Sequence, residues 1–145
     1  MKTVEKSVLI WYSPAQMFDL VTKVELYPEF LPWCAYTRIL EQMPDGMVAE
    51  VGMSIAAFKQ SFTTRNVHEA NAAVHMSLVK GPFSSLEGHW RFTSVGNGAA
   101  CKVEFRLQYG YDKSALSAIL TPVFDKVAAT MVDAFVKRAE QVYGE

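Results

Sequence analysis

The sequence predicts an α+β fold: a curved antiparallel sheet of about seven strands wrapped around one long C-terminal helix, with two short helices after the first strand. Three observations carry this. In residues 101–111, Cys101, Val103, Phe105, Leu107, Tyr109 and Tyr111 alternate with Lys102, Glu104, Arg106, Gln108 and Gly110. That is the period of a strand with one buried and one wet face. From Ser114 onward the period changes: Leu116, Ile119, Leu120, Val123, Phe124, Val127, Met131, Phe135, Ala139 and Val142 recur every three or four residues, with Asp125, Lys126, Asp133, Lys137 and Glu140 filling most of the other side. Between the strand-like runs, Pro44-Asp45-Gly46 and Gly96-Asn97-Gly98 supply turn chemistry. An antiparallel sheet with one apolar face has to be covered, and only the last helix is long enough to do it. Such a sheet encloses a cavity where it curves away from the helix.

The elements follow in order. Residues 3–11 read as a strand. Ser13, Pro14 and Gln16 then form a helix-start signal, with a capping serine, a proline at the first helical position and a glutamine placed to close a capping box. Tyr12 and Met17 are spaced to act as its hydrophobic staple. The run Tyr27-Pro28-Glu29-Phe30-Leu31-Pro32-Trp33-Cys34 is too broken for a long helix and too aromatic for an ordinary loop, which suits a connector that plugs or lines an apolar space. Six strands in hairpins come next. Residues 47–55 place Met47, Val51, Met53 and Ile55 on one side; 58–69 carry Phe58 and Phe62 in phase; 74–78 present Val74, Met76 and Leu78; and 86–92 set Leu86, Gly88, Trp90 and Phe92 against Glu87, His89 and Arg91. In the last helix, Pro122 removes an amide donor and crowds the carbonyl of Ala118. Thr121-Pro122 therefore reads as an N-cap and first helical residue, so the long helix is expected from about Thr121 to about Tyr143. Residues 115–120 are expected as a separate short helix or a kinked lead-in. Leu116, Ile119 and Leu120 would then sit on a flap facing Phe30 and Leu31, either as a gate or as a kink that follows the sheet.

Composition bounds the function. A chain of 145 residues is expected to form one domain, 1–145. Half of the residues are hydrophobic and 20% are charged, which excludes a disordered chain. With 14 basic against 15 acidic residues there is no broad electrostatic grip on nucleic acid, and no DNA partner is expected. Cys34 and Cys101 fit neither a disulfide framework nor a zinc site. Residues 1–10 hold no signal-peptide run, and no segment approaches the ~20 apolar residues of a membrane span. The expectation is a soluble, cytoplasmic protein with at most peripheral membrane contact.

No constellation of catalytic type emerges, and neither cofactor nor metal is expected. His89 and His75 fall on the polar faces of their strands; His68 shares the phase of Phe58 and Phe62 near a strand end. No carboxylate or nucleophile is spaced to orient any of the three. Glu87 and His89 lack a third metal ligand. Gly96-Asn97-Gly98 leads into no helix and so is not a phosphate loop. Lys59 with Arg65, and Lys102 with Arg106, share outward phases: a solvated sheet face, or a patch for ribosomal RNA phosphates. The candidate ligand-facing residues are Phe30, Leu31, Trp33, Met53, Phe62, Met76, Phe83, Leu86, Trp90, Phe105, Tyr109, Leu116, Leu120 and Phe124. They suit either a close-packed core or the lining of an apolar cavity. Tyr109 and Tyr111 are candidate contacts to a ligand head group.

Several of these runs carry a family resemblance. Tyr12-Ser-Pro-Ala-Gln-Met-Phe-Asp-Leu-Val21, then Val24-Glu-Leu-Tyr-Pro-Glu-Phe-Leu-Pro-Trp-Cys34, resembles the first signature of the coenzyme Q-binding START-like family, within the polyketide cyclase/dehydrase-like superfamily. Gly81-Pro82-Phe83 with Leu86, Gly88, Trp90 and Phe92 resembles its second. Met131-Val132-Asp133-Ala134-Phe135, Arg138-Ala139 and Val142-Tyr143-Gly144 resemble its C-terminal helix. The resemblance covers essentially the whole chain and implies the helix-grip fold. It also implies non-enzymatic binding of an apolar ligand, ubiquinone or a similar prenylated lipid, in support of respiration. The bacterial branch of that family includes a ribosome association toxin, which makes the large ribosomal subunit the alternative partner.

Overall fold

The computed structural model describes the backbone of residues 2–55, 58–111 and 115–144, and the side chains of 2–54, 59–111 and 121–144. The chain opens with strand β1 (Lys2–Ile10), helix α1 (Pro14–Thr22) and a short 3-10 segment (Val24–Glu29). Six strands follow: β2 (Cys34–Met43), β3 (Gly46–Ile55), β4 (Phe58–Glu69), β5 (Ala73–Lys80), β6 (Phe83–Val95) and β7 (Ala100–Tyr111); helix α2 (Ala115–Tyr143) closes the chain. The seven strands form one curved antiparallel sheet in the order β1-β7-β6-β5-β4-β3-β2. Successive hairpins run from β2 to β7, and β1 returns to pair with β7, Lys2 opposite Tyr109 and Ile10 opposite Cys101. This is the helix-grip arrangement expected from the sequence.

Local chemistry explains the junctions. The Ser13 amide donates to Gln16 Oε1 at 2.8 Å and the Gln16 amide donates to Ser13 Oγ at 3.2 Å, a complete capping box. Met17 is fully buried and Tyr12 packs on the same core, its ring 6.0 Å from that of Tyr143 on α2. The β6–β7 turn holds Gly96, Asn97 and Gly98 at φ of 57°, 60° and 84°, the left-handed region that glycine and asparagine reach at least cost. Register shifts interrupt β2 between Cys34/Tyr36 and Ile39/Glu41, β5 between Leu78 and Lys80 opposite Thr63/Thr64, and β6 at Phe83/Ser85. Such bulges sharpen strand twist and let the sheet curl.

α2 runs continuously from Ala115 through Pro122 to Tyr143, so the long helix does not start at Thr121 and, of the two arrangements expected for residues 115–120, the separate short helix is not formed. Proline removes one amide donor, but its fixed φ of about −65° is itself helical, and Thr121 keeps helical geometry despite the ring that follows it. The side chains of Leu116, Ile119 and Leu120, and with them the predicted flap, lie outside the described residues.

The core lies between the inner sheet face and α2. Trp90 sits at its centre, with ring centroids 4.4 Å from Phe105 and 5.1 Å from Phe135. Phe124, Val127, Ala128, Val132, Phe135 and Ala139 form the buried stripe of α2. The connector completes the core. Tyr27 and Phe30 stand edge-on to Phe135 at 5.4 and 5.1 Å, and Leu31 is 1% exposed.

Candidate ligand cavity

Where the sheet leaves the helix, a cavity of about 60 Å³ remains. β3 contributes Ala49 and Val51, β4 Phe62, Thr64 and Asn66, β5 Met76, β6 Leu86 and Trp90, and β7 Phe105 and Leu107. α2 adds Phe124, Met131 and Phe135, and the connector region adds Val24, Tyr27 and Trp33. Phase explains the lining, since these strand residues share the inward face of the pleat.

Almost all of this surface is apolar. The exceptions are Tyr27, whose hydroxyl is spent on the Val21 carbonyl and whose ionisation is pushed up by burial, and the neighbours Thr64 and Asn66. Both of the latter are 4% exposed, and Thr64 Oγ1 donates to Asn66 Oδ1 at 2.7 Å. That bond fixes which way the amide oxygen faces, and Asn66 also carries two N–H donors on a side chain that lines an otherwise apolar cavity. The arrangement suits a hydrophobic molecule that carries one hydrogen-bond acceptor.

The residues singled out from the sequence divide. Trp33, Phe62, Met76, Leu86, Trp90, Phe105 and Phe124 border the cavity. Phe30, Leu31, Met53, Phe83 and Tyr109 do not. Phe30 stands edge-on to Phe135 beneath the Arg138 guanidinium, which lies 5.1 Å from the Phe30 ring. Leu31 and Met53 are plain core. Phe83 lies one layer behind, 5.9 Å from Phe62 and 4.7 Å from Phe124. Leu116 and Leu120 lie outside the described side chains. Thr64, Asn66, Val24, Ala49, Val51, Leu107, Met131 and Phe135 also line the cavity without having been singled out as ligand-facing, whereas Tyr27 belongs to the connector expected to line an apolar space. Asn66 is in phase with Phe62 on β4, together with the polar Gln60, Thr64 and His68, so its place in an apolar cavity could not be read from the alternation alone.

Tyr109 and Tyr111 have another task. Each hydroxyl donates to Asp125 Oδ1 at 2.8 Å, and Lys2 pairs with Asp125 Oδ2, so the network seams β1 and β7 to α2. Burial pushes the Asp125 carboxyl up, but the bonds from Lys2, Tyr109 and Tyr111 outweigh it and hold the group below its usual range. Both phenols are pushed up, by burial first and then by their bonds to that carboxylate.

Surface candidates carry less. His75 and His89 are cross-strand partners on the outer face, with Nδ1 atoms 2.5 Å apart and His75 Nε2 3.4 Å from Glu69. Among the described residues no three His, Cys, Asp or Glu side chains are grouped to hold a metal. Burial pushes the Cys34 thiol up to about 11, and the Cys101 thiol also up, away from nucleophilic character. Of the outward cations, Arg65 pairs with Asp45 at 3.8 Å and Arg106 with Glu5 at 3.4 Å. No helix among the described residues is long and apolar enough to cross a membrane.

A second depression adjoins the cavity. A surface groove of about 570 Å³ runs between α2 and the end of β3, lined by Pro32, Trp33, Ser54, Pro122, Val123, Lys126, Val127 and Thr130.

Comparison with known proteins places this architecture. Residues 10–136 match the family described as polyketide cyclase / dehydrase and lipid transport. The chain is 44% identical over 145 residues to the ribosome association toxin RatA of Vibrio cholerae, with 100% of both chains covered. It is 26% identical over 145 residues to the mitochondrial coenzyme Q-binding protein COQ10 homolog B of Xenopus laevis, covering 96% of this chain and 58% of that one. The solved structure of the Zhui aromatase/cyclase from Streptomyces sp. R1128 matches with a TM-score of 0.83 over 97% of this chain and 94% of that one, at 14% identity, a likeness of fold. With its seven-stranded sheet gripping a C-terminal helix and this match over most of its length, the chain belongs to the polyketide cyclase/dehydrase and lipid transport family of START-like proteins.

Proposed function

We propose that this protein binds, without chemical conversion, an apolar molecule whose polar part is a carbonyl, of the ubiquinone class or a similar prenylated lipid. The observation that carries this reading is the apolar cavity with the Asn66 side chain, a potential amide donor, in its lining. Affinity comes from hydrocarbon removed from water, about 25 cal/mol per Å². The Asn66 bond orients the head group and is worth about 0.5–1.5 kcal/mol. Met76 and Met131 line the space, and unbranched thioether chains repack at low cost as it fills. The resemblance to the COQ10 homologue supports a quinone-type ligand. Extraction of the purified protein with organic solvent, followed by mass spectrometry, is expected to yield a prenylated lipid. An added ubiquinone analogue is expected to bind, and Asn66→Leu to weaken it by roughly 2- to 12-fold, the equivalent of that hydrogen bond. Finding no lipid and no analogue binding overturns the proposal.

A second reading has its own support. Identity of 44% along the whole chain to a protein named for ribosome association favours binding to the large ribosomal subunit and interference with subunit joining. Overexpression with sucrose-gradient profiling tests it. Accumulated free subunits and co-sedimentation of the protein are expected; unchanged subunit and monosome peaks overturn it.

A further inference from the structure

We infer that Trp33 is the partition between two halves of one ligand site, and that the groove outside it holds the hydrocarbon tail of the molecule whose head group occupies the cavity. This rests on the head-group reading above. At about 60 Å³ the cavity falls far short of the about 300–1,000 Å³ of pockets that take a whole drug-sized ligand. A prenylated molecule therefore keeps most of its volume elsewhere. Trp33 borders both the cavity and the groove, and no other described residue does.

The groove has the chemistry of a tail site. Its floor is Pro32, Pro122, Val123 and Val127, and the two prolines bring no amide donor that a hydrocarbon would leave unsatisfied. Ser54, Thr130 and Lys126 stand at the polar rim. Lys126 contributes its methylene stem while its ammonium stays in water. The backbone around the partition is fixed: the Ser54 amide donates to the Trp33 carbonyl at 2.8 Å, and the Cys34 amide donates to the Leu31 carbonyl at 2.9 Å. Joining the two spaces is thus a rotation of the half-buried Trp33 indole and needs no movement of the main chain.

Two ubiquinone analogues that share a head group test this, one without a tail and one with a decyl tail, titrated against the intact protein. The decyl analogue is expected to bind at least about tenfold tighter, which corresponds to about 55 Å² of hydrocarbon leaving water. Val123→Glu is expected to erase that advantage while leaving tail-less affinity within about twofold, whereas Asn66→Leu weakens both analogues alike. Should Val123→Glu fail to fold, Thr130→Leu extends the apolar floor and is expected to tighten only the decyl analogue. Equal affinity for the two analogues in the parent protein, or a loss common to both in Val123→Glu, overturns the tail site alone. Failure of the tail-less analogue to bind the parent protein overturns the head-group reading instead.

Discussion

Replacing Asp125 with alanine removes the acceptor on which two phenols and one ammonium converge. The Tyr109 residue is 1% exposed, and its hydroxyl loses its acceptor, Asp125 Oδ1 at 2.8 Å. An orphaned buried donor costs about 1–3 kcal/mol. Tyr111 is half-buried and already has the Thr121 carbonyl at 3.3 Å, so its loss stays near the low end, about 1 kcal/mol. Lys2 is largely exposed and adds about 1 kcal/mol at most. The sum is about 2–5 kcal/mol, which at about 2–4 °C per kcal/mol for a chain near this size lowers Tm by roughly 4–20 °C. Thermal denaturation at pH 7 of the parent, Asp125→Ala and Lys2→Ala measures it. The carboxyl's folded-state pKa is depressed, so its contribution is complete above the unfolded value of 3.8 and disappears as pH falls through the lower folded value. If Asp125→Ala costs under 1 kcal/mol, or Lys2→Ala costs as much as Asp125→Ala, the network is not the seam described here.

Three further outcomes are expected. At Gly88 an added Cβ would lie 2.5 Å from Met76 Cε and 3.4 Å from Leu107 Cδ1, both side chains of the cavity wall. Gly88→Ala should therefore leave the fold little changed, because the flexible end of Met76 gives way, while the displaced methyl narrows the cavity and weakens a ubiquinone analogue measured by isothermal titration. His68 stands edge-on to Phe18 with Nε2 buried and unpartnered, and burial lowers its pKa against a smaller opposing pull from Asp45. The unfolded chain then binds the proton more readily, so this stability term is complete above the unfolded value of 6.5, shrinks as pH drops below it, and is gone once pH has passed the lower folded value. Urea midpoints of the parent and His68→Gln at pH 7.5 and 5.5 should show a smaller acid loss in the variant. Pro122→Ala restores a backbone donor inside α2 at an exposed position and should raise stability by up to ~3 kcal/mol in the same assay.

Much of the fold was legible because its signals are local. The alternation along Cys101–Tyr111, the Ser13–Gln16 box and the three-to-four spacing after Ser114 each report on the geometry of one element, and each element formed. Pro122 misled because its local cost is real, but proline's own φ suits a helix and does not force a break. The site was legible only in part, since a period of two tells which face a residue takes and not how deep it lies. Phe105 and Tyr109 share the inner face of β7. The first meets the cavity, and the second is captured by Asp125. That difference depends on where α2 crosses the strand, a distance no spacing encodes. Asn66 was missed for the same reason: it shares the phase of Phe62 with Gln60, Thr64 and His68, and the alternation does not tell which of these polar groups lines the cavity.

The two readings of function draw on different surfaces of the same chain, and the charges constrain the second. Lys2, Lys23, Arg65, Arg106 and Arg138 each meet a carboxylate, of Asp125, Asp19, Asp45, Glu5 and Glu29 respectively. A phosphate stripe needs cations free to displace counterions, and its signature is a steep loss of affinity with salt. Here the net charge is −1 and, among the described residues, five of the chain's fourteen Lys and Arg side chains meet a carboxylate, so ribosome association by this chain is expected to show a shallower salt dependence than that of a basic protein. Exposed apolar groups such as Leu9 and Trp11, 65% and 86% exposed, would then have to supply contact that the cations do not. The cavity lies on the opposite face of the sheet from His75, His89 and the Arg106–Glu5 pair, and filling it calls on Met76, Met131 and Trp33 rather than on that exterior. A defect confined to the interior, such as Asn66→Leu, therefore separates the readings: it weakens quinone binding roughly 2- to 12-fold and leaves the outer surface that a ribosome would meet as it was.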